Sequence, residues 1–399
     1  MSTAVWTNRL ELNSFADSAM KAAARFWFVV AMIGQFAFAF TVASFYGLTA
    51  ARGNVHAWSK VLVHGIIPGE RVGNLALVTH LISAVIIILA GALQLVPQIR
   101  KRFPVFHHWN GRLYIVTAFA VSLAGLYLMW VRGTVGDLSQ HLGTSLMAVL
   151  IMICAVMALR YAMARDFTSH RRWALRLYLV VSASLFIRAA LFLSFLLNRG
   201  PFGFDPATFS GPFLTFISFA QYLVPLGVLE LYLRAQDRPG TLGRIAMAGV
   251  LVVLTLAMGA GIFAVTMAAW VPNVKAAYDT RKSIAQTLSA TIASSGMDHA
   301  VRQYHDLKAA AGSTYNFDED ELNTLGYQFL RINKFTEAIR VFQLNAEAYP
   351  QSGNVYDSLG EAYMDAGDKP QAIANYQKSL QLNPNNRGAV KMLQKLNAP

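Results

Sequence analysis

The chain has 399 residues, 55% of them hydrophobic and only 14% charged, with a positive mean hydropathy, a balance that excludes an ordinary soluble protein and places much of it in a bilayer. A net charge of +13 would suit a nucleic-acid binder. However, residues 1–274 hold 21 Lys/Arg against 8 Asp/Glu, and residues 275–399 hold 13 of each, so the excess sits in the apolar part and reads as a topology signal with no nucleic-acid partner implied.

In chain order, residues 1–25 form an N-terminal segment. Seven apolar runs follow, at 26–51, 72–99, 113–131, 142–159, 177–198, 206–229 and 245–274, each about 18 residues or more and so able to span the hydrocarbon as a helix. The first run is longer than a signal-peptide core and no cleavage site follows it, so it reads as a retained span. With the N-terminus inside, 15 Lys/Arg fall on the cytoplasmic side and 5 on the other, which sets the orientation in a bacterial cytoplasmic (inner) membrane and puts everything after 274 outside. Residues 275–297 read as a linker. Cys154 is the only cysteine and lies within a span, which excludes an internal disulfide or thiol metal site.

Beyond the linker the chain repeats itself. Leu325, Gly326, Ala338, Ile339 and Pro350 recur 34 residues later as Leu359, Gly360, Ala372, Ile373 and Pro384, the tetratricopeptide period and residue types. Two helical hairpins are expected, with "NRGAVKMLQKL" as a C-terminal cap and "DHAVRQYHDLKAA" as the N-terminal packing partner. The overall expectation is an all-α chain: a seven-helix transmembrane bundle over 26–274 and tetratricopeptide-like hairpins over 298–399. Residues 298–397 also resemble the short repeat module at the C-terminus of many bacterial serine-hydrolase proteins, sharing "ELNTLGYQFL", "YDSLGEAYM" and "KSLQLNP". The likeness carries no hydrolase with it, because the single S-x-x-K, Ser18 to Lys21, lacks its companion motifs.

Five of nine histidines fall at or near helix starts: His80, His107 and His108, His141, and His170. The topology puts His80 and His141 near the outer face, and His107, His108 and His170 near the inner face. A neutral imidazole inside a bundle needs a hydrogen-bond partner or a metal. Two histidines on facing helices can ligate one haem b iron, so His80 with His141 and His107 with His170 are candidate axial pairs, and two such haems would carry electrons across the membrane. This layout is similar to that of the transmembrane di-haem b cytochromes that ascorbate reduces. Periodicity leaves His108 as an alternative ligand to His107. Arg188 interrupts the fifth span, five helical turns after His170, and a buried cation there calls for an anion, either a haem propionate or a lipid phosphate. Capping, backbone hydrogen bonding or proton relay would explain the same histidines without a cofactor.

The blocks "HLISAVIIILAGALQLVPQIRKRFPVFHHWNGRLYIV", His141-Leu-Gly and "DFTSHRRWALRLY" resemble, over residues 70–235, a bacterial family of predicted membrane proteins with no established activity, patterned H, G-x-x-Q, H-R-W-x-G-R-x-Y, H and H-R-R-W-M-x-R. The positions matching its motifs are His80, Gly91, Gln94, His107, Gly111, Arg112, Tyr114, His141, His170, Trp173 and Arg176. His108 stands where the family has Arg, and Ala174 where it has Met, and that register favours His107 as the inward residue. Arg112 and Arg176 could hold propionates or anchor the cytoplasmic border. Two functions follow as expectations. One is a b-type cytochrome-like redox protein, a membrane oxidoreductase or electron-transfer protein taking electrons from a quinol or small reductant, with the repeats docking its partner. The other is a cofactor-free membrane scaffold or sensor, in contact with lipid, whose outer repeats bind a periplasmic protein or peptide.

Overall fold

The computed structural model describes residues 2–397 apart from 63, 68, 207, 238, 239 and 311–313. The chain divides into two compact units, Met1–Tyr278 and Asp279–Pro399.

In the first unit, α1 (Ser2–Val42) runs through a π-helical turn (Ala43–Gly47) into α2 (Leu48–Ala51). There follow α3 (Arg71–Leu95), α4 (Pro97–Arg102) and α5 (Pro104–Tyr127), which ends in a second π-helical turn (Leu128–Arg132). Next come α6 (Leu138–Met163), α7 (Phe167–Val181), α8 (Ala183–Asn198), α9 (Pro212–Asp237), and α10 (Thr241–Val265), which passes through a third π-helical turn (Thr266–Trp270) into α11 (Val271–Tyr278). Among the described residues six helices are long and apolar enough to cross a membrane, and α7 with α8, bent by 46°, makes a seventh where the pair is counted as one broken span. Where the apolar runs stop, local chemistry starts the helices: Asp137 accepts from the Gln140 amide at the head of α6, Asp166 from the Ser169 amide at the head of α7, and Pro104 occupies the first turn of α5.

The helices extend past the apolar windows. α5 begins nine residues before 113, because Arg112 lies exposed over the Trp109 ring at 4.6 Å and does not interrupt it. The sixth span begins only at Pro212, because positive-φ residues Gly203, Phe209 and Gly211 turn the preceding chain into a loop bridged between Asp205 and Ser210. α1 packs on α10 and α3, α3 on α5, α5 on α6, α6 on α7 and α9, and α8 on α10 and α9. The α8–α10 contact is tight enough to require glycine: a Cβ at Gly261 would stand 2.1 Å from the Ala189 carbonyl oxygen.

The second unit holds a two-residue parallel pair, β1 (Lys282–Ser283) with β2 (Tyr315–Asn316), and seven helices: α12 (Ile284–Ser295), α13 (Met297–Ala310), α14 (Glu319–Arg331), α15 (Phe335–Ala348), α16 (Gly353–Asp365), α17 (Lys369–Leu382) and α18 (Arg387–Asn397). α14–α15 and α16–α17 are the two hairpins of the 34-residue repeat, and α18 packs on α17. The repeated Gly326 lies under the buried ring of Phe342, where a Cβ would meet ring atoms at 2.5 Å. Much of the stretch read as a linker is α12, whose Ile284 and Leu288 are buried in one core with Ala300 and Tyr304 of α13.

Gly261→Ala forces α8 and α10 apart at a backbone atom that has no side-chain freedom. It should cost about 1–3 kcal/mol, the usual price of overpacking, read as a lowered unfolding midpoint of the detergent-solubilised protein.

Candidate functional site

Most of the motif residues of the membrane unit lie on the α3–α5 hairpin. A Cβ at Gly91 would lie 2.9 Å from the Tyr114 ring, and one at Gly111 would lie 2.7 Å from the Gln94 side-chain nitrogen, so each glycine makes room for a large side chain of the opposite helix. Two side chains then tie the helices through backbone carbonyls: Gln94 Nε2 donates to His107 O at 2.9 Å, and buried Asn110 Nδ2 donates to Ala90 O at 2.9 Å. Hydrogen bonds of this kind hold helices together where water cannot compete. Asn110 escaped the sequence reading, although it is the residue immediately before Gly111 in a matched block.

The histidines take different partners. His80 Nδ1 lies 3.1 Å from Val121 O on α5, while His141 Nε2 faces Thr134 Oγ1 at 3.3 Å and Val135 O at 3.4 Å, with its ring edge-on to Trp130. His170 Nδ1 lies 2.8 Å from Ala158 O. His107 is within electrostatic reach of His108 and His170, and its Nδ1 is buried without a hydrogen-bond partner. His108 is exposed. His107 and His170 are thus within electrostatic reach of each other, while His80 contacts the middle of α5 at Val121 and His141 the stretch 130–135 that follows it. Among the described residues, no group of three or more His, Cys, Asp or Glu is arranged to hold a metal ion.

The arginines also separate. Arg176 stacks on Trp173 at 4.8 Å and pairs with Glu230 of α9 at 2.6 Å, a partner the sequence reading did not identify. Arg112 stacks on Trp109. Arg132, which the sequence reading counted only as an outer charge, keeps 3% of its side chain exposed; it pairs with Glu70 at 3.2 Å and donates to Gly73 O and Asn74 Oδ1. Arg188 lies over the Phe38 ring at 4.5 Å and donates to Ser184 O at 2.6 Å.

In the second unit a row of carboxylates marks the face that α14, α16 and α18 share. Asp357, Glu361 and Asp365 follow one another at i, i+4 and i+8 on α16, so they lie on one helical stripe. Tyr327 of α14 donates to Glu361 Oε2 at 2.8 Å, Asn386 Nδ2 donates to Asp357 Oδ1 at 2.9 Å, and Lys395 of α18 is within electrostatic reach of Asp365. Burial pushes the Asp357 and Glu361 carboxyls above the ordinary carboxylate range, and the hydrogen bonds from Asn386 and Tyr327 only partly oppose it. The sequence signal for this row was the four-residue spacing of the acids, which a comparison of apolar and small positions passes over.

Residues 77–224 match the family described as "Predicted membrane protein (DUF2306)", and residues 353–386 match the tetratricopeptide repeat. No curated protein matches the chain. The protein is therefore a multi-pass membrane protein that carries a tetratricopeptide repeat.

The raised carboxyls give the repeats a defined pH dependence. Their contribution to stability is fully present below the unfolded carboxylate values of about 4 and is lost as pH rises through the raised folded values. Amide hydrogen exchange in α16 of the full chain, corrected for intrinsic rates, should therefore be best protected in mild acid. Glu361→Gln should raise protection at neutral pH and flatten the profile; an unchanged profile would remove burial of this acid as its cause.

Proposed function

We propose that the protein is a membrane-anchored docking protein: the helical bundle fixes it in the cytoplasmic membrane, and the repeat unit binds a segment of a partner protein through the α14–α16–α18 face. The observation that carries this reading is the carboxylate row of Asp357, Glu361 and Asp365 within a tetratricopeptide framework. A carboxylate that loses water on folding gains most from an incoming cation, so the occupant is a segment bearing Lys or Arg. Asymmetry of 15 to 5 in Lys/Arg across the bundle supports a cytoplasmic N-terminus, and with α7 and α8 taken as one broken span the seven spans would carry the repeats to the opposite side, where a periplasmic protein or peptide would meet them.

Haem binding is a second reading, favoured by one specific arrangement. His80 and His170 each set Nδ1 against a backbone carbonyl, which leaves Nε2 available, the way protein matrices orient imidazole ligands. On this reading His107 and His170 are the first pair to examine, and a quinol or another small reductant would be the electron source. Bound haem would supply one-electron chemistry, while these residues would hold its iron.

Two measurements separate the readings. Full-length protein in nanodiscs should bind Lys- or Arg-bearing peptides from an arrayed set in preference to acidic ones. Salt should weaken this binding, and Asp357→Asn with Glu361→Gln should reduce it about tenfold or more; equal binding of acidic peptides, or survival in the double variant, would sink the docking site. Absorbance of protein purified from haem-supplemented cells tests the other: a Soret band that His170→Ala diminishes supports haem, and its absence in the wild type ends that reading while leaving docking untouched.

A further inference from the structure

Arg188 lies inside the bundle, ten residues before the end of α8 at Asn198, about 15 Å along the helix at 1.5 Å per residue. A cation there is costly unless it is paired and its donors are satisfied. Arg132 and Arg176 meet this demand with Glu70 and Glu230. Arg188 does not: among the described residues no carboxylate pairs with it, and its one hydrogen bond runs to the Ser184 carbonyl of its own helix. A guanidinium offers five N–H donors, so most of its hydrogen-bonding capacity is unspent.

The surroundings suit an anion with an apolar body. The cation rests on the face of Phe38, whose other neighbour is Trp270 at 5.6 Å and 24°. Tyr46 and His80 are both within electrostatic reach of it. His80 commits Nδ1 to Val121 O, which leaves Nε2 for a further partner. Tyr46 and Trp270 each sit on a π-helical turn, Ala43–Gly47 and Thr266–Trp270, the kind of local departure that recurs at functional sites in helices. Arg188 is half-buried, so it is not sealed from its environment.

We propose that Arg188, which has Tyr46 and His80 within electrostatic reach, binds the single-charged oxyanion head of a molecule that partitions into the membrane, the apolar part of that molecule lying against Phe38 and Trp270. One unbalanced guanidinium matches one negative charge. A small hydrated anion would have to give up its water to reach this site, whereas an amphiphile arrives already in the hydrocarbon. A fatty-acid carboxylate and a phospholipid phosphodiester share this chemistry.

The test uses the full chain, delipidated in a nonionic detergent, with oleate, phosphatidylglycerol and methyl oleate as probes; binding is followed by fluorescence titration and by the shift in unfolding midpoint. Saturable binding of oleate alone assigns a free carboxylate, of phosphatidylglycerol alone a phospholipid, and of both an oxyanion site indifferent to its carrier. In each case methyl oleate should not bind, and Arg188→Gln should weaken binding at least about tenfold. Ligand-free Arg188→Gln should also unfold at a higher midpoint, since it removes an unbalanced charge, whereas a purely structural arginine would leave the variant less stable. Tyr46→Phe, which keeps the ring, should weaken the same probe about threefold and keeps the site testable if Arg188→Gln fails to fold. No binding by either anionic probe, equal binding of methyl oleate, or unchanged affinity in both variants overturns the proposal.

Discussion

The close approach of α3 and α5 is the constraint on which the membrane unit depends. Lipid tails offer no hydrophobic gain for bringing helices together, so contact must come from packing and from hydrogen bonds that have no competitor. Both are present along one seam: glycines at 91 and 111 admit Tyr114 and Gln94, and the Gln94 and Asn110 amides close on backbone carbonyls of the facing helix. His80 extends the seam with its contact to Val121 O. Much of the motif that makes this region recognisable, G-x-x-Q and the G and Y of the following block, is thus the chemical record of a helix pair. α6 then packs on α5, and α7 and α9 on α6, so the seam sets where the later helices stand.

What the sequence displayed and what it concealed follow from the range of each signal. Long apolar runs and the 34-residue period are cumulative, so seven spans and two hairpins were legible although their ends were not. α5 shows why the ends were hidden: hydropathy stops at 113 because of Arg112, but backbone hydrogen bonding does not, and the helix starts at Pro104. α12 was invisible for the opposite reason. Its "IAQTLSATIASS" is rich in Ser, Thr and Ala, as a linker is, and only two buried residues, Ile284 and Leu288, show that it packs. The bend at Ser182 and the three π-helical turns have no compositional mark at all.

For the candidate sites, residue type was legible and partnership was not. A histidine in a span announces that it needs something, but not whether that is a carbonyl, a hydroxyl or a metal. The structure divides the imidazoles accordingly, with Val121 O and Ala158 O for His80 and His170, and Thr134 and Val135 for His141. Arginine obeys the same logic. Arg176 and Glu230 lie 54 residues apart, and only the packing of α7 against α9 reveals that one neutralises the other. The acids of α16 were readable in principle, since a spacing of four on a helix places them together, but their significance depends on burial.

The two units handle uncompensated charge in opposite senses. In the bundle, arginines that lose water are met by Glu70, Glu230 or aromatic faces, and Arg188 stands out because, among the described residues, no carboxylate pairs with it. In the repeats, carboxylates that lose water are met by neutral donors, Tyr327 and Asn386, which stabilise the charge less than a cation would. Neither arrangement is the one that would maximise stability of the isolated chain, because an apolar residue of similar size at Arg188 or Glu361 would avoid the desolvation cost altogether. Charges retained at such a cost are accounted for if each is completed by something outside the fold: an anion carried in the membrane for the bundle, and a cationic segment of another protein for the repeats.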